Sequence, residues 1–326
     1  MESNIILKLH IATLCLFFTV GISTSDAQAD YGFYHAEIIY IEEMIVAEEF
    51  ATALSSLEQV FNTYGFVFVR EYQLATLLAI LQGNQTKAKQ YLAQAMKKGM
   101  TAKEVKKNKR FRALFNEFSK GEVDAFSQQH EALIDLYLRK EVQKMYKKDQ
   151  KMAMKSLFRL RQKAKIKYAE TKFAPHSEQQ LAKLSRIIKT KNYPGERLIG
   201  DRYWASTILS HHNAISPAYN EQDSLYMNLQ PLLIFALKSG HMQPFEYAII
   251  DNWKIASQSG QSESSYGFLG PTMTKDNLGK ANFLRDQIGM RSIELRNQLI
   301  DIENKYKIDL YLPDQPWQKG KIKIVN

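Results

Sequence analysis

Hydrophobic residues return at three- and four-residue steps over almost the whole chain, which predicts helices rather than strands. From Tyr34 to about Phe118 the apolar clusters are Ile38-Ile39, Ile45-Val46, Leu54 to Leu57, Val60-Phe61 and Leu74 to Leu81. Gly83-Asn84 interrupts the pattern. Ala88, Tyr91-Leu92 and Ala95-Met96 then resume helical spacing, and Gly99 stands where glycine commonly closes a helix. Further on, Val142, Met145, Tyr146, Met152, Leu157, Leu160 and Ala164 form one apolar stripe, predicting a long helix from about Glu131 to Thr171 with a stop at Pro175. The next expected helix is Ser177 to Lys189, with Ser177 as cap and Gln180 three residues on. A turn at Asn192-Tyr193-Pro194-Gly195 follows. Trp204, Ile208, His211 and Ile215 then fall at steps of four, three and four, which places His211 on an apolar stripe and points His212 elsewhere.

A further helix is expected from Pro244, because proline suits a first helical turn, with Phe245, Ala248-Ile249 and Trp253 facing inward and Asp251 flanking that face. Ser257 to Asn282 is rich in Ser, Gly and Asn and reads as a long polar loop, a length that compact domains keep for functional or unstructured segments. Helix returns from Phe283 to Tyr306, interrupted at Gly289, and Pro313 and Pro316 end regular structure. The tail Lys319 to Val325 alternates charge and hydrophobe, as a short edge strand or an unstructured end would. The expected class is therefore all-α. Residues 30–125 form helical hairpins, 131–313 a second helical unit with a polar loop, and 314–326 a basic tail.

Composition adds a compartment. Lys8 precedes an apolar run from Ile11 to Ile22, and small and polar residues lead to Ala27-Gln28-Ala29, the pattern of a secretory leader cleaved before Asp30. The run is too short to cross a bilayer, and no second apolar stretch of membrane length occurs. The sole cysteine, Cys15, lies in that leader behind Leu14, where a lipid-attachment site has a small residue. A mature chain would have no disulfide and no thiolate. The expected location is thus periplasmic or extracellular. The formal charge is +10, concentrated between Lys87 and Lys172. In an exported protein this favours an anionic surface or glycan over nucleic acid. Tyr146, Phe158 and Tyr168 among the lysines fit a base-stacking surface or the core side of basic helices; the helical spacing favours the second.

Two resemblances follow from particular residues. The front hairpins, with small residues where helices approach and glycines at turns, resemble tetratricopeptide-type helix pairs, although a plain helical bundle satisfies the same pattern. From about Lys140 to Pro313, Asp149-Gln150, Leu184-Ile187-Ile188, Tyr193-Pro194, Gly200, a histidine at a helix end, Tyr247-Ala248 and Asp251 stand in an order similar to the bacterial family called domain of unknown function 6624. Gly260, Gln261, Tyr266-Gly267, Arg285 and Gly289-Met290 continue it. Asn252 replaces an arginine common in that family, extra serines separate Gln261 from Tyr266, and the glutamine usual after Tyr-Gly is missing. The resemblance implies a fold and candidate positions, and no reaction.

Candidate chemistry centres on His211 or His212 as base with Asp251 orienting the imidazole. Gln261, Tyr266 and Gly267 would fold over them, and Asp149, Gln150 and Arg285 would complete a ligand site. Each has a structural alternative: a core imidazole, a buried aspartate paired with Arg285, a tyrosine anchoring its loop. His35, His130, His176 and His241 are scattered, no His-Glu-x-x-His spacing occurs, and no residue pattern names a cofactor. The leading functional expectation is a binding or scaffold module for a protein, peptide or anionic glycan of the cell envelope. The alternative is a hydrolase built on the His/Asp pair and the Gln/Tyr loop, which requires imidazole, carboxylate and phenol to line one cleft.

Overall fold

A computed structural model of the chain describes residues 30–159, 161–259, 265–313 and 320–326. The expected leader and Gln261 lie outside the described residues. What is described is helical apart from one pair of short strands, as the hydrophobic period predicts.

The front hairpins are α1 (Tyr31–Val46), α2 (Phe50–Thr63), α3 (Val69–Leu81) and α4 (Gln85–Lys97). Asp30 caps α1 by accepting from the Gly32 amide, and Asn84 caps α4 by accepting from that of Lys87. Short helices α5 (Ala102–Lys107) and α6 (Lys109–Phe115) follow. Thr101 with Glu104 forms a capping box that starts α5. Leu57, Leu74, Leu77 and Leu78 are fully buried here, each contributing roughly 2 kcal/mol of transfer free energy. Across Phe118 to Glu131, where the two units were expected to part, runs α7 (Lys120–Leu133), started by the Ser119/Glu122 box.

The expected helix from Glu131 to Thr171 is in fact three pieces. Ile134 is extended and Asp135 begins α8 (Leu136–Leu157) by accepting from the Leu138 amide, because a short carboxylate competes for nearby backbone donors. After a break, α9 (Gln162–Tyr168) passes through a π-turn at Ala169–Phe173 into α10 (Ala174–Lys191). Pro175 therefore sits in the first turn of a helix instead of ending one, and Ser177 is a buried helix-interior residue instead of a cap. The rest of this half comprises α11 (Glu196–Ile199), α12 (Trp204–Asn213), α13 (Pro217–Gln222), α14 (Leu225–Lys238) and α15 (Pro244–Gln258). Helix α12 is packed between α8 and α10 on one side and α15 on the other.

The expected 257–282 loop is shorter. Thr274 caps α16 (Lys275–Gln287) by accepting from the Asn277 amide, and β1 (Thr272–Thr274) immediately precedes it. The tail supplies β2 (Lys323–Val325), which pairs with β1 in parallel, with Ile322 buried beside it. Between them α17 (Ile293–Tyr306) packs on α1, and its Leu295, Leu299 and Ile302, with Leu310 beyond, belong to the front apolar core.

Polar clamps join the halves. Glu42 of α1 is buried and accepts from Arg70 Nη2 and Arg291 Nη2, both at 2.6 Å. Burial alone would raise its pKa, but the two guanidinium groups hold it below the usual carboxylate range. Glu196 Oε1 accepts from the Val69 amide at the start of α3 (2.6 Å), and its Oε2 accepts from Gln243 Nε2 ahead of α15 (2.9 Å).

Candidate functional site

Where the two halves meet, residues of α3, α5 and α6 and residues of α8, α9, α12 and α15 line a cleft of about 1520 Å³, to which Lys307, Ile308, Asp309, Tyr311, Leu312 and Pro313 also contribute. Its back wall carries Tyr203, Ser206, Ser210, His211, Ile249 and Trp253, and Gln150 reaches it from α8. Lys107 and Lys109 line it from the front half and Lys165 from α9. Arg70, Gln73, Glu196 and Gln243 lie along its walls, next to the inter-half clamps. The volume exceeds that of common small-ligand pockets.

The adjacent histidines have opposite surroundings. His211 is about one-third exposed and lines the cleft; its Nδ1 is 2.6 Å from Oδ2 of the fully buried Asp149. Donation from Nδ1–H to that carboxylate leaves Nε2 as an acceptor. Asp149 comes from the inward face of α8, and its Oδ1 is buried without a partner among the described residues, as is Ser210 Oγ. Phe173 packs edge-on against the His211 ring.

His212 is fully buried. Its Nδ1 lies 2.9 Å from Ser177 Oγ and its Nε2 3.1 Å from Asp223 Oδ2, and Tyr219 stacks edge-on. Burial pushes the Asp223 carboxyl up, but the bond and charge of His212, the Leu225 amide and Lys254 bring it below its ordinary value. The apolar stripe predicted the reverse, with His211 inside. It misleads because α12 is covered on both sides, so Ile208 and Leu209, which point differently, are both fully buried.

Asp251 has neither histidine for a partner. Tyr226 Oη donates to its Oδ1 (3.3 Å) and Tyr266 Oη to its Oδ2 (3.1 Å). Burial raises this carboxyl, moderated by the two phenols and Lys254. Arg285, expected as its partner, is instead fully buried and donates to main-chain carbonyls: Nε and Nη2 to Tyr266 and Nη1 to Arg291. Burial lowers its proton affinity, with Arg291 and Arg296 adding to the effect. Its guanidinium also lies over the Phe268 ring. Asn252 accepts from the Tyr266 amide and so fastens the same loop.

Tyr266 is thus a buried anchor, and neither it, Gly267, Asp251 nor Arg285 lines the cleft. Gly267 has φ +76°, and a Cβ there would meet Ile293 Cδ1 at 2.7 Å, so glycine is needed for backbone geometry and packing. Gly200, at φ +79°, is similarly closed by Arg139 and His130. Tyr193 Oη donates to Glu246 Oε1. Most positions quoted for the family resemblance therefore hold the back half together; Asp149 and Gln150 join a histidine at the cleft.

Buried acids cluster around Glu196 at the cleft wall. Burial pushes Glu196 well up, aided by the charges of Asp201, Glu71 and Glu246, against the Val69 amide bond. Glu71 and Glu246 are each raised to about 7, again chiefly by burial. Among the described residues no group of three or more His, Cys, Asp or Glu side chains is arranged to hold a metal. Sequence reading missed Glu196 and Ser210, and it placed Lys107 and Lys165 in one basic segment without bringing them to a shared cleft, because the cleft exists only once distant helices pack. No protein-family model, curated protein or solved structure matches the chain significantly.

Proposed function

We propose that the chain is an exported binding module that holds an extended anionic ligand, an acidic peptide or glycan segment, in the cleft between its halves. The carrying observation is that this cleft is lined from both halves and that each half contributes cations to it, Lys107, Lys109 and Arg110 from one and Lys165 from the other. Burial holds the wall carboxylate Glu196 toward its neutral form, so the lining cations Arg70, Lys107, Lys109, Arg110, Lys165 and Lys307 outnumber the lining acids Glu104, Asp201 and Asp309. Trp253 and Tyr203 offer apolar faces, while Gln150, Gln243 and Ser210 supply hydrogen-bonding groups. The leader pattern of residues 1–29 supports export, and the family resemblance adds no reaction to this reading.

Calorimetric titration with acidic oligopeptides and with uronic-acid oligosaccharides tests it. One of the two classes binds, and Lys107→Glu combined with Lys165→Glu weakens that binding at least about tenfold. Failure of both classes to bind, or binding indifferent to the double reversal, ends the proposal.

A second reading rests on the 2.6 Å His211–Asp149 contact, the geometry of a general base held by an acid. It replaces the Asp251 and Tyr266 arrangement, whose groups do not line the cleft. If the cleft is hydrolytic, Asp149→Asn abolishes turnover of the bound ligand while leaving its affinity within about threefold, since the aspartate orients the imidazole. No turnover by the parent protein removes this reading and leaves binding intact.

A further inference from the structure

The outer side of α8 and α9 bears a charged surface separate from the cleft. Lys144, Lys148, Lys151, Lys155 and Phe158 follow at steps of four, three, four and three, so they share one helical face, and all are exposed. Arg159, Lys163 and Lys167 continue the basic surface and are exposed too. None of these eight lines the cleft. Between Lys144 and Lys167 the only acid is Asp149, which is buried against His211; Glu141 lies one turn before Lys144, and Glu170 beyond the stretch accepts from Ser216. Among the described residues no carboxylate forms an ion pair with any of these seven cations. At the end of α8, Phe158 projects a phenyl ring that is 77% exposed.

We infer that this face docks on an anionic lipid surface, with Phe158 inserting among the headgroups. The charge pattern identifies a polyanion: seven cations in no ion pair, against the single exposed carboxylate Glu141 at one end, attract a negatively charged sheet, and the attraction extends over about one Debye length. The aromatic arrangement separates a bilayer from nucleic acid. A base-stacking surface needs several exposed rings, but Tyr168 is buried and Tyr146 is stacked on Trp204. That leaves one exposed apolar ring at a helix end flanked by Arg159 and Lys155, which suits interfacial insertion with lysine stems alongside. This docking is independent of any ligand in the cleft.

Vesicle co-sedimentation of the full chain tests it, using phosphatidylcholine alone and phosphatidylcholine with about one-third phosphatidylglycerol. Binding to the anionic vesicles exceeds that to neutral ones at least about tenfold and falls steeply with added salt. Lys151→Glu, Lys155→Glu and Lys163→Glu together weaken it by about a hundredfold, taking the contribution of each surface lysine from membrane electrostatics. Phe158→Ser weakens it severalfold without altering its salt dependence. All four side chains are exposed, and an unchanged urea midpoint shows that each variant is folded. Equal binding to both vesicle types, or binding that ignores the variants because the apolar stretch from Ile11 to Ile22 drives it, overturns the inference. So does tighter, variant-sensitive binding to single-stranded DNA than to anionic vesicles.

Discussion

His211 and His212 are neighbours on one helix, each bonded to an aspartate, yet they belong to different parts of the protein's physics. His212 is enclosed, with both ring nitrogens committed to Ser177 and Asp223. His211 commits Nδ1 to Asp149 and lines an open cleft. A hydrogen bond to an acid is therefore not in itself a sign of function. What separates the two is whether a polar atom remains available where a ligand can reach it. Asp251 extends the same lesson, since its carboxylate is occupied by two buried phenols.

The contrast is sharpest in stability. His212→Ala removes the partner of Asp223, strands Ser177 and opens a cavity, so it costs about 3 kcal/mol in urea unfolding while leaving cleft affinity unchanged in the folded protein. A loss below about 1 kcal/mol breaks the contrast.

The buried acids around Glu196 extend it to pH. Glu71 and Glu246 have folded pKa values raised from 4.5 to about 7, so they bind their protons more tightly folded than unfolded. The stability this confers is fully present below about pH 4.5 and is lost as pH rises through about 7. Tm accordingly falls by a few degrees over that window, and Glu246→Gln flattens the fall. A Tm that rises steadily across the window in the parent protein, or an unflattened slope in the variant, shows that these carboxyls are not buried as described.

The smallest effect belongs to the exposed partner. His211→Ala costs less unfolding free energy than His212→Ala, because truncating a ring that lines the cleft admits water to the carboxylate of Asp149, which the ring otherwise covers. A loss as large as that of His212→Ala makes the two histidines equivalent and removes the reason for placing function at the first.

Local order was widely legible. Helical period, the breaks at Gly83 and Gly99, the start at Pro244 and the interruption at Gly289 are all visible in the chain, because backbone geometry at those residues depends on their own side chains. The start of α16 was hidden: Lys275 to Gln287 contains Gly279 and two asparagines, weak helix formers that tertiary contacts override. The break after Leu157 was missed for the opposite reason, since a helical pattern rich in lysine and arginine continues through it.

By itself, then, the sequence determined that this is a helical protein with a basic middle, because propensity, period and charge are carried by neighbouring residues. Only the tertiary structure decided that α17 completes the front core, that Asp149 and not Asp251 meets a histidine, and that His211 is the one facing the cleft. Those outcomes depend on which helix faces are covered by segments far away in the chain. An amphipathic period cannot report this for a helix such as α12, which is packed on two sides.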